Sequence, residues 1–302
     1  MKKIGIIALL VVILTGCGSK EPTKPLKFGT IPAEASLPMI IAYEKGFFTT
    51  DIEVIPFQAP TDRNAAAQSG QIDGLIADVM TALPMIESGV DVKITSDINE
   101  DFKLLASPNS GITSIKGFDG KHVAVIPKFF LQWVMDTMAE SEGISYEMMN
   151  VPAFSARFEG LLNDQFEGLV FPEPQAGMLI EKGAILIAGS QEFGLKGGSI
   201  MFTTDSLTNN RAAVEDFYNG YNKAVDYLNE TKAGEYVDIL EKYGFPQEME
   251  AYIDNRATKY QYAGVVPVDQ FDNIMKWSQK QGLTTQDYSY DAVTDFKVNG
   301  SK

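Results

Sequence analysis

Short apolar segments alternate with amphipathic segments along most of the 302-residue chain. Eight apolar runs of four to six residues have the length and composition of buried strands. They lie at 27–31, 52–57, 74–77, 103–107, 122–126, 168–171, 184–188 and 199–203. Segments with helical spacing separate them and end at glycines such as Gly46, Gly70, Gly89 and Gly143, as helices commonly do. The pattern predicts an α/β fold with mainly parallel sheets and helices on both faces.

The chain also repeats itself. The segment QIDGLIADVMTALPMIESG at 71–89 aligns without gaps on QFEGLVFPEPQAGMLIEKG at 165–183, an offset of 94 residues with seven of nineteen positions identical. Ile31-Pro32 and Ile126-Pro127 follow two predicted strands at nearly the same offset. Two matches at one offset predict two similar lobes that enclose a cleft.

The last third of the chain is predicted to be helical. One apolar stripe within it has helical spacing and is interpreted as core packing rather than as a cofactor site. Its residues are Val214, Phe217, Tyr218, Tyr221, Val225 and Leu228. We therefore predict a first lobe at 27–108, a second at 109–195, and a crossover with a helical tail at 196–302 that packs mainly on the first lobe.

The amino terminus has the order of a secretory signal. Two lysines precede an apolar run at 4–14, which is shorter than the roughly 20 residues that span a bilayer. The residues LTGC at 14–17 resemble the lipobox of bacterial lipoproteins, in which the cysteine carries a diacylglycerol. This resemblance implies a signal peptide at 1–16, a lipidated tether at 17–26 and attachment to the outer face of the cell membrane. The alternative is that Cys17 is a free or buried cysteine.

Composition excludes several classes of protein. An apolar fraction of 45% suits a globular protein, and a formal net charge of −15 argues against binding nucleic acid. Cys17 is the only cysteine, so the chain has no internal disulfide and no thiolate metal cluster. The only histidine, His122, lies at the start of a predicted strand, and no G-x-S-x-G motif accompanies it. We expect no metal, no cofactor and no catalysis.

Three long segments resemble the solute-binding proteins of bacterial ABC transporters, in the group that binds nitrate, sulfonates, taurine and pyrimidine precursors of thiamine. They are KFGTIPAEASLPMIIAYEKGFF at 27–48, AAAQSGQIDGLIADVMTALPMIESG at 65–89 and GLVFPEPQAGMLIEKGA at 168–184. The resemblance implies a two-lobed periplasmic-binding-protein fold of type II with a helical C-terminal extension. It also implies a monomer that captures a small molecule and delivers it to a membrane permease and its ATPase.

Ligands of open α/β sheets bind outside the carboxyl ends of the strands. The loops that follow the predicted strands therefore supply the candidate residues. The predicted ligand-binding residues are Glu34, Ser36, Asp62, Asp78, Asn109, Phe129, Phe130, Trp133, Phe154 and Glu173.

These residues favour a small, flat ligand that contains nitrogen. Aromatic rings at 129, 130 and 133 would stack on a ring, and carboxylates accept hydrogen bonds from amino groups. The sequence leaves open whether Phe130 and Trp133 are core residues, and whether Asp62 is only a helix N-cap. Asp78 and Glu173 show no capping role in the sequence.

Three alternatives remain at the level of sequence. Arg63 or Arg157, otherwise interpreted as solvated surface residues, could clamp a sulfonate, nitrate or another small anion. The same fold could serve an exported enzyme, because the resembling group includes a pyrimidine synthase and futalosine-processing enzymes. It could also serve a sensor or adhesion lipoprotein that engages another protein.

Overall fold

The computed structural model describes residues 24–151, 153–256 and 258–301. The predicted signal peptide, Cys17 and most of the predicted tether lie outside the described residues. None of the described helices is both long enough and apolar enough to cross a membrane.

Ten strands and twelve α-helices make up the described part of the chain. The strands are β1 (Leu26–Thr30), β2 (Ile52–Pro56), β3 (Gly74–Asp78), β4 (Val92–Asp97), β5 (Phe102–Ala106), β6 (His122–Val125), β7 (Glu147–Asn150), β8 (Gly168–Pro172), β9 (Ile185–Gly189) and β10 (Gly198–Thr203). The helices are α1 (Leu37–Glu44), α2 (Pro60–Gln68), α3 (Val79–Glu87), α4 (Phe130–Glu142), α5 (Phe154–Leu162), α6 (Gln175–Glu181), α7 (Thr204–Asn209), α8 (Arg211–Glu230), α9 (Val237–Lys242), α10 (Met249–Asp254), α11 (Val268–Lys280) and α12 (Tyr290–Val293). Short 3₁₀ turns lie at Glu34–Ser36, Ile115–Phe118, Ser190–Phe193, Ala233–Glu235 and Phe296–Asn299.

The strands form two five-stranded sheets of the same design. Their orders are β2-β1-β3-β10-β4 and β7-β6-β8-β5-β9. In the first sheet β10 runs antiparallel to β3 and β4, and in the second β5 runs antiparallel to β8 and β9. Each antiparallel strand is therefore the one that enters its sheet directly from the other lobe. Both sheets are mixed, rather than mainly parallel as the alternation suggested.

The internal repeat predicted from sequence matches this symmetry. Strands β3 and β8 hold the same place in the two sheets at an offset of 94 residues, and helices α2 and α5 begin at the same offset. Strands β1 and β6, which end just before the two Ile-Pro pairs, also occupy equivalent places.

The predicted boundary between the lobes is wrong for one strand. The prediction assigned 103–107 to the first lobe, but β5 pairs with β8 and β9 of the second sheet. The chain thus crosses between the sheets at 98–101, after β4, and returns at 190–197, before β10. The sequence suggested a crossover at 107–111. Because β5 is antiparallel to its neighbours, this loop lies at the opposite end of the strands from the crossovers.

The C-terminal segment packs on the first lobe and also reaches the second. Helix α8 packs on α1, and α11 packs on α3. The indole nitrogen of Trp277 in α11 donates a hydrogen bond of 2.8 Å to Asp136 Oδ2 in α4 of the second lobe. One apolar cluster contains buried residues of both sheets, such as Ile94 and Val123, together with residues of α4 and α11. The lobes are thus joined by apolar packing as well as by the two crossovers.

Candidate functional site

A cavity of about 150 Å³ lies where the two sheets face each other. Its walls come from the carboxyl ends of the parallel strands, from the first crossover and from the first residues of β5 and β10. The lining residues are Ile31, Ala33, Glu34, Ala35, Pro60, Arg63, Ile76, Ala77, Asp78, Ile98, Asn99, Glu100, Asp101, Phe102, Phe129, Phe130, Pro172, Glu173 and Gly198. The antiparallel strands β5 and β10 contribute their first residues, because their amino ends lie at this edge.

Aromatic side chains form one wall of the cavity. Phe129 is the N-cap residue of α4, and Phe130 follows it with its ring 4.8 Å from that of Phe102. Lys128, just before them, has a left-handed backbone with φ of 64°, an uncommon conformation for a residue with a side chain. The Lys128 N–H donates to Gln132 Oε1 at 2.7 Å, which holds this turn against the helix.

Glu34 is buried at the cavity and is held from the tail. Its Oε1 lies 2.8 Å from Arg256 Nε, and its Oε2 accepts a hydrogen bond of 2.8 Å from the Tyr252 hydroxyl. Burial raises the pKa of Glu34, and the charge of Arg256 opposes that rise. Arg256, which follows α10, therefore supplies the opposite charge for the Glu34 carboxylate in the 3₁₀ turn before α1.

Asp78 and Glu173 both cap helices, contrary to the interpretation of the sequence. Asp78 is the N-cap of α3 and accepts the Thr81 N–H at 2.7 Å. Glu173 Oε2 accepts the N–H of Gly177 in the first turn of α6 at 2.8 Å. Burial raises the pKa of both groups, that of Glu173 to about 7. A capping role leaves further lone pairs on each carboxylate for a ligand.

Arg63 is a buried cation in the cavity wall rather than a solvated surface residue. Only 3% of it is exposed, and Nε and Nη2 donate to Asn64 Oδ1 at 3.2 and 2.8 Å. Burial lowers its pKa to about 10, and nearby Asp78 opposes that shift. Arg157 is equally buried at the equivalent position of α5, where Nη1 donates to the Val151 carbonyl at 2.7 Å. The offset of 94 residues between the two arginines is the sequence signal that pairs them.

Two acidic residues of the first crossover line the cavity and were not predicted. Glu100 Oε1 accepts the N–H groups of Gly197 and Gly198, both at 2.9 Å. Asp101 is paired with Lys103. The sequence could not place them at the cleft, because β4 was not recognised as the strand that precedes them.

Five predicted residues lie outside the cavity lining. Ser36 is fully buried in the 3₁₀ turn before α1, and Asp62 is exposed in the first turn of α2. Asp62 is not the N-cap either, since Ala59 holds that position. Asn109 is exposed at the opposite edge of the second sheet, where its Nδ2 donates to Asp164 at 2.7 Å.

The other two are aromatic. Trp133 packs in the core, with its ring 5.2 Å from that of Phe130, so it is not part of the cavity wall. Phe154 is 41% exposed at the start of α5 and stacks on Phe171 at 4.6 Å. Phe130 is both a core residue and a lining residue, which combines the two interpretations of the sequence.

Carboxyl groups outnumber cationic side chains in the cavity lining. Five carboxylates line it, those of Glu34, Asp78, Glu100, Asp101 and Glu173, and among the described residues that line it Arg63 is the only cation. An adjoining groove of about 440 Å³ shares Asp101 and Glu173 and extends towards Tyr252 and Arg256. The arrangement suits a ligand that donates hydrogen bonds or carries positive charge better than it suits a free anion.

The single histidine of the chain does not line the cavity. His122 is exposed at the amino end of β6, away from the cavity, with Nε2 3.1 Å from Glu147 Oε2 and Nδ1 3.5 Å from Glu167 Oε2. No group of three or more potential metal ligands occurs among the described residues.

Comparison with known proteins places these features in a family. The NMT1/THI5-like family model matches residues 34–232. A protein of Bacillus subtilis (strain 168) named for binding aliphatic sulfonates is 35% identical over 144 residues. That match covers 41% of this chain and 42% of the relative, so the chain spans less than half of that relative's length.

Solved structures share the architecture over nearly the whole chain. The periplasmic aliphatic sulphonate binding protein of Escherichia coli has a TM-score of 0.75 and 15% identity, over 90% of this chain and 92% of that chain. The zinc-bound ligand binding component of an ABC-type import system from Staphylococcus aureus has a TM-score of 0.74 and 14% identity, over 91% and 97%. At these identities the likeness shows the fold, and it confirms the predicted periplasmic-binding-protein architecture.

Proposed function

The chain belongs to the NMT1/THI5-like family, and from this membership and the geometry of its cleft we propose that it is the solute-binding component of an ABC importer. The observation that carries the proposal is the cavity between the two sheets, built from both lobes and the first crossover. A solute held there contacts both lobes, so binding favours their closure. The closed form then delivers the solute to a permease driven by its ATPase. The protein acts as a monomer on the outer face of the membrane, anchored by lipid on Cys17.

The solute we propose is a small nitrogen-containing heteroaromatic molecule. A cavity of about 150 Å³ matches the volume of engineered cavities that hold benzene, which is enough for one ring. Phe129 and Phe130 offer apolar faces for stacking, and Asp78, Glu100 and Glu173 offer acceptors for amino groups.

A small anion is the second candidate. Buried Arg63 in the cavity wall favours it, as does the sulfonate-binding relative in Bacillus subtilis. The excess of carboxylates opposes it, because each buried negative charge near a sulfonate costs Coulomb energy in a region of low dielectric constant.

Calorimetric titration of wild type and Glu173→Gln separates the two candidates. The probes are 4-aminopyrimidine, taurine, ethanesulfonate and nitrate. For an amino heteroaromatic, Glu173→Gln should weaken binding about tenfold or more, since a hydrogen bond to a charged group contributes roughly 1.5–3 kcal/mol and 1.4 kcal/mol is one decade. For an anion, the same substitution should leave affinity unchanged or improve it.

Two outcomes would decide against parts of the proposal. Tight binding of a sulfonate by wild type, with Glu173→Gln neutral or beneficial, would replace the heteroaromatic solute with an anion. Conversion of a probe to a product by the purified protein would make the protein an enzyme. Mass spectrometry of small molecules that copurify with the native protein identifies the solute if none of the probes binds.

A further inference from the structure

Glu100 joins the two crossovers between the lobes. It lies in the first crossover, and its Oε1 accepts the N–H groups of Gly197 in the second crossover and of Gly198 at the start of β10. Two backbone hydrogen bonds on one oxygen fix the carboxylate relative to both connections. A change in the angle between the lobes therefore acts on the surroundings of this side chain.

The second oxygen of Glu100 lacks the partners that the first has. Its Oε2 is buried and makes no hydrogen bond with the described residues. Burial raises the pKa of Glu100 to about 7, and the like charges of Asp97 and Asp78 add to that rise. Lys196, the nearby cation of the second crossover, is paired with Asp97 Oδ2 at 2.9 Å.

The glycine at 198 makes this close approach possible. A Cβ at that position would lie 2.3 Å from Glu100 Oε2 and 2.4 Å from Ile98 Cδ1. Both Gly198 and Glu100 line the cavity. The chain thus places the Glu100 carboxylate at the cavity, where the two lobes join. The Oε2 atom of this carboxylate has no hydrogen-bond donor within the described part of the chain. Burial of a carboxylate in that condition is unfavourable unless a donor reaches it.

We propose that Glu100 couples closure of the cleft to a hydrogen-bond donor on the solute. Oε2 is already buried without a donor from the described residues, and closure without solute keeps it beside other carboxylates and away from water, so closure of the empty cleft is disfavoured. A solute with an amino or ring N–H group donates to this carboxylate and removes that penalty. This inference rests on the proposed function, since it concerns how the same cleft closes, and it selects for donor-bearing solutes.

The substitution Glu100→Gln tests the coupling while preserving the contact between crossovers. The amide oxygen of glutamine can still accept from Gly197 and Gly198, whereas its NH₂ group replaces the oxygen without a partner. The control is Glu87→Gln, which removes one charge from an exposed carboxylate that accepts from Thr285. Thermal unfolding of all three proteins verifies that each variant is folded.

The first measurement uses no solute. Small-angle scattering at pH 8 should give Glu100→Gln a smaller radius of gyration than wild type and Glu87→Gln, because the penalty on closure is gone. The second compares 4-aminopyrimidine with pyrimidine, which lacks the amino donor. Wild type and Glu87→Gln should prefer 4-aminopyrimidine at least tenfold, and Glu100→Gln should lose most of that preference. A general change in closure alters the affinities for both ligands by the same factor. The ratio of the two affinities therefore reports only the effect of the amino group.

An unchanged radius of gyration in Glu100→Gln overturns the coupling even if neither probe binds. An undiminished preference for the amino probe in Glu100→Gln also overturns it. Failure of every probe to bind wild type counts against the heteroaromatic solute, and the scattering comparison then decides on Glu100 separately. If Glu100→Gln does not fold, Gly198→Ala serves as the second variant, because its methyl group displaces the carboxylate from this position.

Discussion

A carboxylate leaves water at a cost that hydrogen bonds or an opposite charge must offset. The carboxylates of this cavity differ in how far that cost is met. Glu34 has Arg256 and the Tyr252 hydroxyl, Asp78 has the N–H and the hydroxyl of Thr81, and Glu173 has one N–H of α6. Glu173 has the fewest donors of the three and keeps unused lone pairs, so it is the carboxylate that a donor-bearing solute would complete.

The pH dependence of stability should report the burial of Glu173. Burial raises its pKa from 4.5 to about 7, so between these values the folded protein holds a proton that the unfolded chain has lost. The contribution of Glu173 to the free energy of unfolding is therefore fully present below about pH 4.5 and is lost as the pH rises through about 7. The loss is at most about 3 kcal/mol, at about 1.4 kcal/mol per pKa unit.

Chemical denaturation from pH 5 to 8 measures this effect. Glu173→Gln should flatten the decrease in the free energy of unfolding, whereas Glu159→Gln, an exposed change on α5, should leave it as in wild type. A slope in Glu173→Gln equal to that of wild type would show that Glu173 does not titrate in this range. Glu100, whose pKa is also about 7, accounts for part of the remaining slope.

At the level of elements, the sequence predicts local structure better than it predicts strand direction. The apolar runs locate eight strands and the glycines locate the ends of α1 to α4, because both signals are local. Strands β4 and β7 were missed, since VKITSD mixes polar with apolar residues and EMMN lies at an exposed sheet edge. The direction of β5 and β10 depends on pairing with residues far away in the chain, which no local pattern specifies.

That error of direction explains one wrong prediction, Asn109, and one missed residue, Glu100. Glu34, Asp78, Phe129 and Glu173 follow parallel strands and line the cavity, but a parallel strand is not sufficient, because Ser36, Asp62 and Phe154 also follow parallel strands and do not line it. Asn109 follows the antiparallel β5 and lies at the other edge. Glu100 precedes the antiparallel β5 and lines the cavity, because the amino end of that strand lies there. The rule that ligands bind at the carboxyl ends of strands therefore did not predict it. The tail residues that hold Glu34 come from a segment with no distinguishing motif.

Helix α11 should contribute measurably to stability through its contact with the second lobe. Asp136 in α4 accepts hydrogen bonds from the Trp277 indole, the Tyr146 hydroxyl and Gln132 Nε2. Trp277→Phe removes the donor but keeps an aromatic ring, so the free energy of unfolding should fall by about 1–3 kcal/mol. Urea denaturation measures the change.

An exposed tyrosine provides the control for this prediction. The Tyr262 hydroxyl also donates to a carboxylate, that of Asp226, and the residue is exposed. Tyr262→Phe should change the free energy of unfolding by less than about 0.5 kcal/mol, as exposed substitutions usually do. Equal effects of the two substitutions would mean that the Trp277 contact does not stabilise the fold beyond a surface hydrogen bond.

At the level of the whole molecule, the net charge and the proposed lipid anchor have opposite effects on attachment to a membrane. The formal net charge of −15 repels an anionic membrane surface, and no described helix could cross a bilayer. A solute-binding protein of the proposed kind must nevertheless remain close to its permease in the membrane. The proposed lipid on Cys17 meets this need, and the polar sequence GSKEPTKPL that follows it has the composition expected of a tether.

Replacement of Cys17 should therefore abolish attachment through lipid without altering the binding of the solute. A diacylglycerol supplies two acyl chains, and two lipid signals give stable attachment where a single chain is marginal. Cys17→Ala removes the acceptor of that lipid. The variant should accumulate as an uncut precursor or be released in soluble form, while its affinity for the solute stays equal to that of wild type. Fractionation of cells, followed by mass measurement of the mature amino terminus, checks the location and the modification together.

The matched variant Ser19→Ala lies two residues further along the tether and should leave attachment unchanged. A protein of mature size that still sediments with membranes after Cys17→Ala would show that something other than this cysteine attaches it.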